Sequence, residues 1–360
     1  MAKKILFIIP SLAAGGTERV ISTICNNIDT TKYDPHIYLI SDTKRAYVIN
    51  PNVTVHSNNF SRSLSALPHM IKTVRALKPD ILFLTQSHIN LLLTAVKFLL
   101  PRSVTLVARE NILVSLRNKK WKYKKTFDYL YRVLYKRLDT IICQCEDMAK
   151  DLIDNFGIKK EQIVVINNPV DFDMINSKKD DPIDLDFDFD LVTMGRFVPF
   201  KSYIDLIEAM PYVDENVTLL MIGDGPDRGM YEARIKELKL GSRIKLLGRT
   251  KNPFKYLSRA KLLAFTSRYE GFPNAVLEAG ACGLPVVGYT CLGGLNEIIA
   301  TPDSGLLLKE RAPKQLAKAI NSSMKKQFDK EKIVNLTYTR YNSKKIMDNY
   351  EELFDQISKK

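Results

Sequence analysis

Residues 261–289, KLLAFTSRYEGFPNAVLEAGACGLPVVGY, carry a strand, a loop, a helix and a second strand in one uninterrupted run. The stretch 261–266 is short and apolar, which suits a buried strand. Gly271, Phe272, Pro273 and Asn274 then break it, with Pro273 placed for a first helical turn, where its missing amide costs nothing. A helix is predicted over 273–282, and the apolar run at 285–289 returns as a strand. A strand, a helix and a strand in this order form a parallel crossover, and repetition of that unit builds a parallel sheet covered by helices.

The same alternation runs outward in both directions. Towards the amino terminus, strands are predicted at 3–9, 35–40, 80–84, 103–108, 138–143 and 162–166, with helices beginning near Gly16, Ser63, Ile89, Lys119 and Glu146. That series closes at Asn167, Asn168 and Pro169. Ser177 to Asp190 is acidic and broken by Pro182, and reads as an interdomain linker. A second series follows, with strands at 189–195, 217–222, 243–247, 261–266, 285–289 and 305–308. The predicted architecture is α/β: two doubly wound, Rossmann-like domains, 1–175 and 176–342, whose sheets face a central cleft with their carboxyl ends, where ligands bind in such folds. A last helix in 343–360, with Ile346, Tyr350, Leu353, Phe354 and Ile357 on one face, is expected to cross back to the first domain.

Composition narrows the function. The chain has 360 residues, 45% hydrophobic and 26% charged, values that exclude wholesale disorder and fit two globular domains. Its net charge of +14 predicts a polyanionic partner or an anionic surface, and the positive excess sits in the first half. Five cysteines without paired C-x2-C spacing indicate neither a disulfide framework nor a zinc site, and suit a reducing cytoplasm. The opening MAKKILFIIP is too short an apolar run for a signal peptide, and reads as a first strand. Residues 81–100 are interrupted by Gln86, Ser87, His88, Asn90 and Lys97, so no transmembrane helix is predicted.

Arg196 and Lys201 follow the strand 189–195 five residues apart, and two cations beyond a strand end suit a diphosphate: a planar fork beside a point charge. The alternative is a pair of solvated surface charges. Glu270 in its loop and Glu278 more than a turn into the following helix are placed to hold hydroxyls of a sugar or ribose rather than to act as a paired acid and base. Here the alternative is an ordinary capped helix.

Together, R-x4-K, E-x7-E and EGFPNAVLEAGACGLPVV resemble the retaining glycosyltransferases of family 4, whose fold is the two-domain GT-B type. Further signs span nearly the whole chain: the Gly15-Gly16-Thr17-Glu18 loop, GDGP at Gly223 to Pro226, and GGLNEII from Gly293. The resemblance implies that Arg196 and Lys201 bind the donor diphosphate, Glu278 the ribose, and Glu270 with the amides of Gly271 and Phe272 the transferred sugar. It also implies donor contacts from Pro273, Asn274, Gly15 and Gly16. The implied reaction is metal-independent transfer, with retention, from a nucleotide diphosphate sugar, UDP-linked, to a lipid-linked or surface glycan. Galactose and N-acetylhexosamines are the expected sugars. A sugar-nucleotide epimerase, a phosphorylase and a non-catalytic basic adaptor are the competing readings.

Gly223-x-Gly225-x-x-Arg228 lacks the third glycine of a dinucleotide fingerprint, which leaves a phosphate-facing turn or a plain one. Gly293 and Gly294 follow a strand and suit amides aimed at phosphate. His88, Arg109, Glu110 and Asn111 lie beyond first-domain strands and are nominated as acceptor or sugar contacts, although family relatives often carry a histidine at the latter position that is absent here. No cofactor or metal is expected, since Asp184, Asp186, Asp188 and Asp190 alternate inside the linker. Finally, Arg117 to Arg137 holds nine basic residues against Asp128 alone, interleaved with aromatic rings. Lys119, Lys120, Trp121, Lys122, Tyr123, Lys124 and Lys125 are accordingly expected to face an anionic membrane at the inner side of the cytoplasmic membrane. A solvated basic helix and a nucleic-acid groove are the alternatives, and no nucleic-acid motif is present.

Overall fold

The computed structural model describes residues 2–13, 15–119 and 123–357, arranged as two units. The first contains a seven-stranded sheet of β1 (Lys3–Ile9), β2 (Tyr33–Leu39), β3 (Thr54–Ser57), β4 (Ile81–Leu84), β5 (Thr105–Arg109), β6 (Thr140–Cys143) and β7 (Ile163–Val165). Its strands are parallel and ordered β3-β2-β1-β4-β5-β6-β7. The second unit contains β8 (Leu191–Met194), β9 (Leu219–Ile222), β10 (Ile244–Gly248), β11 (Leu262–Phe265), β12 (Val286–Tyr289) and β13 (Gly305–Leu308), ordered β10-β9-β8-β11-β12-β13. Strands buried on both faces explain the unbroken apolar runs: β4, β9 and β11 have no half-exposed position.

In each sheet the chain order reverses once, between β1 and β4 in the first and between β8 and β11 in the second. Such a reversal opens a crevice at the carboxyl ends of the two strands, because their following helices leave on opposite faces. The register of β8 against β11, Leu191 beside Leu262 and Val192 beside Leu263, sets the two ends together.

The helix Ser343–Ile357 packs on the first sheet through Ile346, Met347, Tyr350, Leu353 and Phe354, all buried in the core that also holds Phe7 and Phe83. Lys3 and Tyr33 both reach Asp355, at 2.8 and 2.9 Å. The units divide between Pro169 and Val170, since Val170 already donates to Tyr341 O at 2.8 Å and Phe172 packs edge-on against Tyr338. The acidic segment expected to link the domains is instead a strap on the second unit. Its carbonyls at Lys178, Lys179 and Pro182 accept from Asn252, Ser258 and Lys255 at 2.7–2.8 Å, which pins the backbone. Sequence periodicity also missed β3, an edge strand whose four residues, TVHS, are too polar to register as core.

Candidate active site

At the second reversal, β8 ends at Met194 and the chain runs through exposed Arg196 to a tight turn, Pro199–Lys201. β11 ends at Phe265 and leads through Thr266 and Ser267 to Glu270. Hydrogen bonds stitch the two loops: Arg268 N donates to Phe200 O at 2.7 Å, and Thr266 Oγ1 to Lys201 O at 3.0 Å. The rings of Phe200 and Tyr269 stack with centroids 5.0 Å apart. This framework brings Lys201 Nζ to 2.6 Å from Glu270 Oε1, with the two side chains only 14% and 12% exposed. Burial is the largest single influence and works against the lysine's charge, but Glu270, together with Tyr203 and Cys291, outweighs it and raises the Lys201 pKa above its ordinary value. The ammonium is therefore cationic at neutral pH. Among the described residues the Arg196 side chain has no hydrogen-bond or ionic partner, so its fork is available to a ligand.

The loop after β12 completes the cluster. Glu270 N donates to Leu292 O at 3.0 Å and Gly294 N to Gly271 O at 2.8 Å. At Gly293, φ is 111° and an added Cβ would lie 2.1 Å from Glu270 O, while at Gly294 it would strike the Phe272 ring at 2.0 Å. Gly294 thus serves the close approach of two loops, and its amide bonds Gly271 O. The amides of Gly223 and Gly225 likewise have partners within the protein, Gly248 O at 2.9 Å and Asp224 Oδ1 at 2.8 Å. Added Cβ atoms there would meet the 195–197 backbone at 1.9 and 2.3 Å, so these glycines let the loop after β9 press against the one bearing Arg196. The helix Asn274–Ala281 starts one residue later than expected, after buried Gly271, Phe272 and Pro273, and holds Glu278, 6% exposed, in its second turn.

The first unit presents a different picture. Gly15 precedes the helix Gly16–Asn27, and Tyr47 brackets it, its hydroxyl accepting from Gly15 N at 3.3 Å and donating to Gly15 O at 3.0 Å. Glu18, whose pKa is raised by burial, accepts from Gln86 at 3.4 Å and so joins the first turn of this helix to the loop after β4. His88 is exposed, bonds Ser63 at 3.0 Å, and has its pKa lowered by desolvation and then by Arg117.

Arg109 and Glu110, nominated as ligand contacts, are fully buried. Arg109 donates to Tyr350 at 3.1 Å, Asn111 at 2.6 Å and Asn168 at 2.5 Å. Glu110 accepts from Ser87 at 2.7 Å, Asn90 at 3.1 Å and the Tyr135 hydroxyl. Their charges are consumed internally, so neither offers a face to a ligand in this arrangement. Asn111, half-buried, donates to Thr85 O at 2.7 Å.

The basic stretch is not one helix from Lys119 but two, Val114–Asn118 and Lys124–Leu134. Lys119, Tyr123, Lys124 and Lys125 are exposed, while Lys120, Trp121 and Lys122 lie outside the described residues. Tyr131 and Tyr135 turn inward; Tyr129 remains 65% exposed. Among the described residues no group of His, Cys, Asp and Glu is arranged to hold a metal, and no helix is long and apolar enough to cross a membrane.

Sequence reading missed Ser267 and Arg311. Ser267 Oγ donates to Glu270 Oε1 at 2.6 Å, and Arg311 donates to the carbonyls of Ser267 and Thr266. The S-x-x-E spacing of Ser267 and Glu270 was a usable signal, although it more often marks a capping box. Arg311 gave none.

Two parallel Rossmann-like sheets of seven and six strands, each with one reversal point, define an enzyme of the GT-B fold. The chain belongs to glycosyltransferase family 4: the profile "Glycosyltransferase Family 4" matches residues 14–174 and "Glycosyl transferases group 1" matches 173–345. Enzymes of this family retain the anomeric configuration and work without metal. The chain is 28% identical over 319 residues, 85% of its length and 86% of the relative's, to N-acetylgalactosamine-N,N'-diacetylbacillosaminyl-diphospho-undecaprenol 4-alpha-N-acetylgalactosaminyltransferase of Campylobacter jejuni. The fold resembles that of HepE from Anabaena in complex with UDP, with TM-score 0.80, 21% identity, and 98% and 100% of the two chains covered. It also resembles the lipopolysaccharide outer core galactosyltransferase WaaB, with TM-score 0.73, 20% identity, and 98% and 99% covered.

Proposed function

We propose that this enzyme transfers a hexose, galactose or an N-acetylhexosamine, from a UDP-sugar to a hydroxyl of a lipid-linked glycan at the inner face of the cytoplasmic membrane. The observation that carries this reading is the buried Lys201–Glu270 pair near Arg196, whose side chain has no partner among the described residues, at the reversal point of the second sheet. In the proposed assignment Arg196 and Lys201 bind the donor diphosphate, Glu278 holds ribose hydroxyls, and Glu270 holds the transferred sugar. The bond between the anomeric carbon and the β-phosphate oxygen breaks as the acceptor oxygen bonds to that carbon on the same face. The acceptor's proton passes to the departing phosphate oxygen. The two cations stabilise charge that develops on that oxygen, which is where preorganised electrostatics contribute most to rate.

The Campylobacter relative acts on an undecaprenol-diphosphate-linked sugar and HepE binds UDP, which supports the choice of donor nucleotide and acceptor class. The outer face of the helix Lys124–Leu134, with Lys125, Tyr129 and Arg132 exposed, supports a membrane surface as the place of work. The test is a mass-spectrometric screen of UDP-, GDP- and ADP-sugars against a prenyl-diphosphate-linked glycan. Mass gain on the acceptor from a UDP-hexose or UDP-N-acetylhexosamine is the expected result. Conversion of the nucleotide sugar without any acceptor product would replace this reading with an epimerase.

A further inference from the structure

Ser267 is 1% exposed and its hydroxyl points at the same oxygen of Glu270 that Lys201 bonds; both donors lie at 2.6 Å from Oε1. A carboxylate oxygen accepts about two hydrogen bonds, so Oε1 is filled by the protein. Among the described residues Oε2 has no partner. The two oxygens are thus divided, one held by the protein and one left open.

Behind this carboxylate lies Arg311, on the segment after β13. Its Nη1 donates to Ser267 O at 3.2 Å, and its Nη2 to Thr266 O at 2.5 Å and to Asp205 Oδ2 at 2.8 Å. The guanidinium lies 4.4 Å from the centroid of the Tyr289 ring. Asp205 belongs to the helix Tyr203–Ala209, which begins directly after the Lys201 turn. One planar fork therefore ties the Glu270 loop to the element that follows Lys201. A lysine at this position could not make the same set of directed bonds.

We infer that Ser267 and Arg311 are positioning residues that lock Oε1 of Glu270 and so aim Oε2 at a hydroxyl of the transferred sugar. This rests on the function proposed above, in which Glu270 is the sugar contact and UDP is held by other groups. Loss of one hydrogen bond to the charged carboxylate in Ser267→Ala is expected to lower kcat roughly ten-fold. Ser267→Thr, which keeps the hydroxyl, should recover most of that loss. Arg311→Lys should lower kcat in the same way, and in each variant calorimetric binding of UDP alone should stay within about two-fold of the parent.

The deciding experiment is the cycle of Ser267→Ala with Glu270→Ala. If Ser267 acts through Glu270, its removal costs less than about two-fold once Glu270 is gone. An equal cost in both backgrounds, with Glu270→Ala itself strongly impaired, overturns the positioning role and leaves the proposed function standing. A Glu270→Ala enzyme with parental turnover removes both.

Discussion

At the carboxyl ends of β8 and β11 in the second unit, and of β4 and β5 in the first, ionisable side chains are buried, yet their partners differ in kind. Glu270 receives a lysine and a serine on one oxygen, and Arg196 near it is left unbonded among the described residues. Glu110 accepts from Asn90 and Tyr135 on Oε1 and from Ser87 on Oε2, so each of its oxygens is bonded within the protein. Arg109, next to it in sequence, is likewise engaged on three nitrogens. A buried charge with every polar atom engaged by the protein rigidifies the scaffold, whereas one with an atom left open can meet a substrate. The second sheet's loops have the latter character and the first sheet's the former.

The largest expected effect separates the two cations of the proposed donor site. Lys201→Ala and Arg196→Ala should each lower transfer by about 100-fold or more, the scale of losing one preorganised donor to developing charge. Only Lys201→Ala should also lower stability, by about 3 kcal/mol, because it strands the buried Glu270 carboxylate. Urea unfolding beside steady-state kinetics checks this. Equal stability in the two variants would mean that the ion pair is not what holds Glu270 in place. A milder break applies to the scaffold side. Tyr135→Phe removes a buried donor to Glu110 and is expected to cost about 1–3 kcal/mol in unfolding free energy. Turnover per folded molecule should be unchanged. A drop in kcat with stability intact would move Glu110 across to the reactive side.

How much of this contrast was readable in sequence depends on the separation of the partners. Lys201 and Glu270 each follow a strand end within short apolar patterns, and the reversal of strand order brings the two side chains together, so their place in strand-end loops was readable although their pairing was not. Glu110 and Arg109 also follow a strand, and looked equally available. Their partners Asn90, Tyr135, Asn168 and Tyr350 lie far away in the chain, and no local pattern reports such pairing. The packing role of the glycines was hidden for a related reason. Gly223 and Gly294 sit where amides often meet phosphate, but only the tertiary close approach, with an added Cβ 1.9 and 2.0 Å from a neighbour, reveals what they are for. The helix Val114–Asn118 was hidden because its five residues, VSLRN, are too short a run for a helical period to register.

A smaller effect concerns the surface rather than the interior. Lys119 and Lys125 are exposed on the first unit, and each basic residue near an anionic bilayer contributes on the order of 1 kcal/mol. The double change to Ala should weaken co-sedimentation with phosphatidylglycerol vesicles roughly ten-fold or more, with little change on phosphatidylcholine. Turnover on a soluble acceptor analogue should be unaffected. Unaltered vesicle binding would assign the basic stretch to solvent and leave the net charge of +14 without this partner.

The smallest effect lies at the far edge of the first sheet, where three of the four histidines meet. His36 Nδ1 and His56 Nε2 are 3.1 Å apart, Asp34 lies 3.1 Å from the other ring nitrogen of His36, and His69 bonds Tyr38 at 2.9 Å. Desolvation, and then the charges of His36 and His69, lowers the pKa of His56 below its ordinary value of 6.5. The unfolded chain therefore binds a proton at this site more readily than the folded one, and stability rises with pH over that interval. The contribution is complete above the unfolded value of 6.5 and is lost as pH falls from there through the folded value. His56→Gln, which cannot titrate, should flatten the decline in urea midpoint on acidification. The difference should stay below about 1 kcal/mol, since a tenfold change in proton affinity corresponds to about 1.36 kcal/mol and solvent screens this half-buried ring. Because the cluster lies on β2, β3 and the helix Ser63–Leu77 that follows them, away from β8 and β11 in sequence and in sheet, the same variant should leave the pH dependence of kcat where it was. If both profiles moved together, the edge of the first sheet would be coupled to the reactive side, and the contrast between a saturated scaffold and an open site would no longer follow the boundary between the two units.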